Sequence, residues 1–251
     1  MGNEKRSLFM PTPGANAPGA FVTFEGGDGA GKSTHIRFLA QVLEGAGLEV
    51  VRVREPGGTS IGEQLRAIVL DPANPEMAPE TELLIYEAAR VQIASQVIEP
   101  ALRRGAVVLC DRFTDSTLAY QGHGRGLSLG FIEAANAFAS KGIVPDKTIV
   151  MRCADVAEKR GRVSAREQMD RLECAGSGFH ERVNAAFDDL ARKDAERVGV
   201  VDTTGAHSDT ARAIFAQLAG LFPWLTDGTL STEEALAAFD AAHHRDHRED
   251  A

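Results

Sequence analysis

Apolar positions along the chain cluster into five short runs: AFVTFE from Ala20, LEVVRVR from Leu48, AVVLCDR from Ala106, KTIVMRC from Lys147 and RVGVVDT from Arg197. These runs are apolar on consecutive rather than alternate residues, which predicts strands buried on both faces. Segments with helical spacing separate them. The economical architecture is an α/β fold, a five-stranded parallel sheet with helices on both faces, whose ligands gather at the carboxyl ends of the strands. The longest helical pattern begins near Glu80, behind Pro79 at a favourable first position, and stops at Gly105, with Pro100 expected to kink or break it near its end.

Outside this pattern the character changes. Residues 1–19 open with a few charges and then carry Pro, Gly and Asn where a signal peptide would need an apolar stretch, so they predict a disordered leader. Residues 20–225 form one domain, and 226–251 a polar, His-rich tail with one short amphipathic helix, expected to be dispensable for chemistry. A length of 251 residues suits one substantial core, and no apolar run is long enough to cross a bilayer, so the expected location is the cytoplasm, with no membrane partner. Three widely spaced cysteines suit a reducing compartment and form no metal-ligand spacing. A formal net charge of −9 argues against a broad nucleic-acid-binding face, whereas a small anionic ligand needs only a local cluster of positive charge.

Such a cluster begins after the first run. Gly26, Gly27, Asp28, Gly29, Ala30, Gly31, Lys32 and Ser33, followed by Thr34, satisfy G-x-x-x-x-G-K-[ST] between a predicted strand and a predicted helix. Glycines let the backbone wrap a phosphate, successive N–H groups converge on its oxygens, and the helix N-terminus adds positive potential. Lys32 is placed to reach the β and γ phosphates of a nucleoside triphosphate and Ser33 to ligate Mg²⁺. GTPases, motor ATPases, DNA-partitioning ATPases and small-molecule kinases share this loop, so the motif fixes a cofactor class, a nucleoside triphosphate with Mg²⁺, but not a reaction.

Four further segments fall at strand ends or on the long helix: REPGGT from Arg54, YEAAR from Tyr86, DRFTDSTLAYQGHGRG from Asp111 and RGRVSAREQMDRLE from Arg160. Arg54 and Arg112 both lie just past predicted strands, and the fourth segment is arginine-rich without apolar periodicity, as a mobile basic lid would be. In-line transfer between two phosphates needs fixed cations, and arginine's planar fork suits phosphate oxygens. No general base stands out. A phosphate monoester acceptor needs none, because its second pKa near ~6 leaves it largely dianionic at neutral pH.

Taken together, FEGGDGAGKST, REPGGT, AARVQ, DRF…STLAYQGHGRGL and MDRLE resemble the bacterial thymidylate kinases, P-loop nucleoside monophosphate kinases, from about Phe21 to Leu221. The resemblance implies a P-loop kinase fold with a mobile lid at about 160–175, transfer of the ATP γ-phosphoryl group to dTMP, and a homodimer. It also implies roles: Tyr86 stacks on thymine, Arg90 bonds the base and approaches the acceptor phosphate, and Thr117 and Gln121 lie beside the base edge. Tyr120 stands where it crowds the ribose 2′ side, and Asp28 where it meets the 3′-hydroxyl. Arg112 would bridge the acceptor phosphate and the transferring group, Asp111 would orient it or a metal-bound water, and Glu55 belongs to the acceptor and metal neighbourhood. The loop offers no arginine of its own, so the resemblance assigns the catalytic arginine to the lid, Arg162 or Arg166. A kinase for another monophosphate and a P-loop switch ATPase are the competing readings.

Overall fold

The computed structural model describes residues 19–153, 170–228 and 232–246. Five parallel strands form one sheet in the order β2-β3-β1-β4-β5: β1 Phe21–Glu25, β2 Val50–Arg54, β3 Val107–Asp111, β4 Lys147–Arg152 and β5 Val198–Asp202. All five coincide with the apolar runs. β1 is buried along its whole length and β3 and β4 over most of theirs, as strands covered on both faces must be. The two edge strands differ. β2 exposes Arg52 and β5 leaves Val200 40% exposed, because an edge strand has a neighbour on one side only.

Helices α1 Lys32–Gly45, α2 Ser60–Leu70, α3 Pro79–Ile93, α4 Glu99–Arg103, α5 Thr114–Thr117, α6 Leu129–Ala139, α7 Ser177–Lys193, α8 His207–Leu218 and α9 Thr232–Asp246 flank the sheet. α3 runs through a π-helical turn, Ala94–Ile98, into α4, and the expected disturbance by Pro100 is absorbed there. Pro100 has no N–H to donate, and a widened turn just before it accommodates the loss without ending the helix. Gly105, at φ 85°, then closes the helix as anticipated. A second π-helical stretch, Leu118–Gly124, follows α5 directly.

Register brings the strand ends together. Asp111 pairs with both Arg54 and Phe24, so Glu25, Arg54 and Asp111 end their strands along one edge of the sheet. One core cluster lies between the sheet and α1 and α8, including Phe24, Leu39 and Phe215, and another packs Phe21, Ile93 and Phe113 on the opposite face. Cys110 is buried in that second cluster, packing as a small apolar residue, while Cys153 is half-buried. Past the 3₁₀ turn Pro223–Leu225, α9 docks on α1 and α8 and buries Leu236 and Phe239 in the first cluster.

Candidate active site

A cleft of about 470 Å³ opens at the carboxyl ends of the strands. The loop after β1 forms one wall. Gly26, Gly29 and Gly31 take φ of 117°, 76° and 84°, and a Cβ on Gly26 would lie 2.1 Å from the Met151 carbonyl oxygen, so only glycine fits there. Asp28, Gly29, Gly31, Lys32, Ser33 and Thr34 border the cleft, whereas Gly26, Gly27 and Ala30 shape the loop behind it. Lys32 folds back so that Nζ donates to the carbonyls of Gly26 at 3.1 Å and Gly27 at 3.0 Å. Burial, reinforced by the charge of Arg112, brings its pKa down to about 8.

Ser33 Oγ donates to Asp111 Oδ2 at 2.7 Å, joining the start of α1 to the end of β3. These are hard oxygen donors, and among the described residues no group of three or more His, Cys, Asp or Glu side chains could hold a metal by itself. A hydroxyl and one carboxylate that leave the remaining positions to water and substrate phosphates fit Mg²⁺.

Arg112 follows immediately, with φ at 72°, a backbone conformation that a side-chain-bearing residue adopts only under constraint. Its Nη2 donates to Asp28 Oδ1 at 2.9 Å and Nη1 to Ser116 Oγ at 3.3 Å, while Cζ sits 5.0 Å from the centroid of the Tyr120 ring. Burial opposes its charge, but Tyr120, Asp28 and Asp111 outweigh it and hold the guanidinium firmly protonated. Arg112 thus spans the loop and the far side of the cleft.

That far side is built on α3 and the α5/π segment. Tyr86, Thr117, Tyr120, Gln121 and Leu172 border it. Helical periodicity in the sequence did not reveal the segment, since the π turns space Thr117, Tyr120 and Gln121 differently from an α-helix. Thr117 Oγ1 is buried without a hydrogen-bond partner among the described residues. Gln121 Nε2 donates to Glu82 Oε1 at 2.7 Å. Glu82, fully buried, also accepts from Arg125 Nη2 at 2.9 Å and from Arg171. Burial works against its charge, but the hydrogen bonds from Arg125 and Gln121 and the neighbouring positive charges keep its pKa below the usual carboxylate value.

Arg90 reaches the cleft from α3 but is 1% exposed, held by protein groups on most of its donors. Nε donates to Glu55 Oε2 at 2.9 Å, and Nη1 to Glu87 Oε1 at 3.0 Å and Asn136 Oδ1 at 2.7 Å. Burial pushes the Glu55 carboxyl upward against the pull of Arg90, and its Oε1 has no partner among the described residues. Arg54 lines the cleft with its guanidinium paired to Glu63, Nη2 to Oε2 at 2.9 Å. Arg162 and Arg166 lie outside the described residues. Arg171, of the same arginine-rich segment, is described; it is paired with Glu82 and donates to the Val69 carbonyl at 3.0 Å.

Three supporting residues escaped the sequence reading. Glu25 is fully buried; its Oε1 accepts from Phe113 N at 2.8 Å, Oε2 accepts from Ser116, and burial, with the charge of Asp115, brings its pKa up to about 7. A charged residue ending an otherwise apolar strand was the available signal. Glu82 and Asn136 gave none, because helix residues of their type are usually solvated.

A parallel sheet with a glycine loop at the start of α1, a Ser33–Asp111 pair beside it and a cationic crossing to an aromatic wall defines a P-loop phosphotransferase. Comparison with known proteins narrows the class. The thymidylate kinase family model matches residues 24–214. A thymidylate kinase from Pseudomonas fluorescens (strain SBW25) is 46% identical over 202 residues, 80% of this chain and 95% of the relative. One from Geobacter sulfurreducens is 47% identical over 78% of this chain and 94% of its own length. The crystal structure of thymidylate kinase from Ehrlichia chaffeensis superposes with a TM-score of 0.64 at 31% identity, covering 82% of this chain and 98% of that one. The chain belongs to the thymidylate kinase family.

Proposed function

We propose that this chain transfers the γ-phosphoryl group of ATP to dTMP, giving dTDP and ADP, as a Mg²⁺-dependent homodimer in the cytoplasm. The observation that carries this reading is the bridge made by Arg112, which touches Asp28 in the phosphate loop and the Tyr120 ring on the opposite wall. A cation fixed between a donor site and an acceptor site is what phosphoryl transfer requires.

In this reading Lys32 releases its two carbonyl partners to bind the β and γ phosphates, and the loop N–H groups close around them. Tyr86 offers its ring to thymine, with Thr117 and Gln121 at the base edge, and the Glu82 bond fixes which face of the Gln121 amide is presented. Tyr120 limits room at the ribose 2′ position and Asp28 meets the 3′-hydroxyl. Arg90, fixed by Glu55, Glu87 and Asn136, presents a pre-oriented cation to the acceptor phosphate, which Arg54 also faces. The dianionic acceptor oxygen attacks directly, so no side chain removes a proton. Ser33 and Asp111 would hold Mg²⁺, which would supply positive charge to offset that of the phosphates. Arg112 stabilises the charge that spreads over the equatorial oxygens, joined by Arg162 or Arg166 from a lid at about 160–175 within the kinase domain, 20–225.

The homodimer is supported by exposed large apolar side chains, Leu84 on α3 and Phe131 and Phe138 on α6, on two helices that pack against each other. Among the described residues no helix is long and apolar enough to cross a membrane. The test is a coupled ADP-release assay with Mg-ATP across dTMP, dUMP, dCMP, dGMP and UMP. Selective turnover of dTMP supports the proposal; equal or greater turnover of another monophosphate would discard the base-pocket roles.

A further inference from the structure

Helix α9, Thr232–Asp246, lies beyond the residues matched by the family model, and its sequence suggested a dispensable appendage. Its packing indicates otherwise. Phe239 stacks on Phe38 of α1 at 4.1 Å between ring centroids and 6° between planes, which anchors the helix against the one that begins at the phosphate loop. The same ring meets His35 edge-on at 5.4 Å and His207 at 5.5 Å. Both histidines are tied to the cleft. His35 Nδ1 lies 2.9 Å from the Gly31 carbonyl in the loop, its Nε2 lies 3.3 Å from the His207 carbonyl, and His207 itself borders the cleft.

A second contact acts on the same place. α8 starts at His207 behind Ala206, which has no side-chain oxygen to accept from the first-turn N–H groups. Asp240 of α9 supplies that acceptor, its Oδ1 taking the Ser208 N–H at 2.8 Å, and a carboxylate there also complements the helix dipole. The tail helix therefore caps, from outside, the helix whose first residue forms the wall next to the phosphate loop.

We propose that α9 is a positioning element for the donor nucleotide: Phe239 and Asp240 hold His35 and the His207 end of α8 in the geometry that binds ATP. This rests on reading the loop end of the cleft as the ATP end. Tyr86, Thr117 and Gln121 belong to other elements, so binding of the acceptor should be indifferent to α9.

The experiment uses the full chain with Phe239→Ala, Phe239→Leu, Asp240→Ala and Asp240→Asn, measuring KM for ATP and for dTMP, the Kd of ADP by calorimetry, and the Tm. Loss of the cap or of the ring should raise KM for ATP and the ADP Kd together, about five- to tenfold, with KM for dTMP within about twofold. Phe239→Leu and Asp240→Asn, which keep the apolar volume and the acceptor oxygen, should restore most of the loss. Unchanged ADP affinity, even with a lowered Tm, would overturn the proposal, as would equal rises in both KM values. If Phe239→Ala does not accumulate, the half-buried Asp240 pair decides. The wild-type turnover of dTMP checks the underlying functional reading separately, and the ADP Kd remains readable if that reading fails.

Discussion

Thr117 offers a sharp check on the acceptor pocket, because its hydroxyl does nothing visible for the fold. Oγ1 is buried, has no hydrogen-bond partner among the described residues, and belongs to a side chain bordering the cleft. A buried hydroxyl left unpaired costs about 1–3 kcal/mol. Thr117→Val keeps the shape and removes the polar atom, so the free protein should become more stable by about 1 kcal/mol, which for a chain of this size raises Tm by about 2–4 °C. If the hydroxyl instead meets the thymine edge when dTMP binds, the same substitution forfeits one hydrogen bond of about 1–1.5 kcal/mol and weakens dTMP binding about tenfold. Stability and affinity should therefore move in opposite directions. Differential scanning calorimetry gives the first, and dTMP titration by calorimetry with KM from the coupled assay gives the second; KM for ATP serves as the control. A lowered Tm with unchanged dTMP affinity would refute the reasoning, since the hydroxyl would then be structural.

Arg112→Ala should lower kcat by at least about 10²-fold while the far-ultraviolet circular dichroism spectrum stays native, because the loss is of charge placed for the transition state; a rate within a few-fold of wild type would remove Arg112 from the chemistry. Lys32 has a pKa of about 8 in the free protein. Bound phosphates favour its charged form, so above that pH binding must take up a proton. Apparent ATP affinity should then fall with rising pH, approaching about tenfold per unit, and a flat pH profile between 7 and 9.5 would contradict the Lys32 assignment. Tyr120→Ala should admit ribo-TMP and, because the ring also supports Arg112 at 5.0 Å, lower kcat for dTMP as well; unchanged sugar discrimination would refute the steric role.

Much of the fold was legible in the chain, since continuous apolar runs mark strands of a buried parallel sheet, and glycines with Lys32 and Ser33 mark the loop between the first strand and helix. The α5/π segment was not legible as structure, because π spacing follows neither of the periods that sequence patterns report. Nor was the burial of Arg90. The sequence marks it as a cation near an anion site, and only the fold shows Glu55, Glu87 and Asn136 converging on it from β2's end, α3 and α6. Such convergence depends on how helices pack, which no local window encodes. The same holds for α9, whose composition suggests a solvated appendage although Leu236 and Phe239 enter the core.

The most direct test of the account follows the label from γ-³²P-ATP in the presence of Mg²⁺ and dTMP. The account requires dTDP carrying the label, formed in equal amount to ADP and only when dTMP is present. Label released as inorganic phosphate, at a rate indifferent to dTMP, would contradict it and mark the chain as an ATPase that uses the same loop for another purpose.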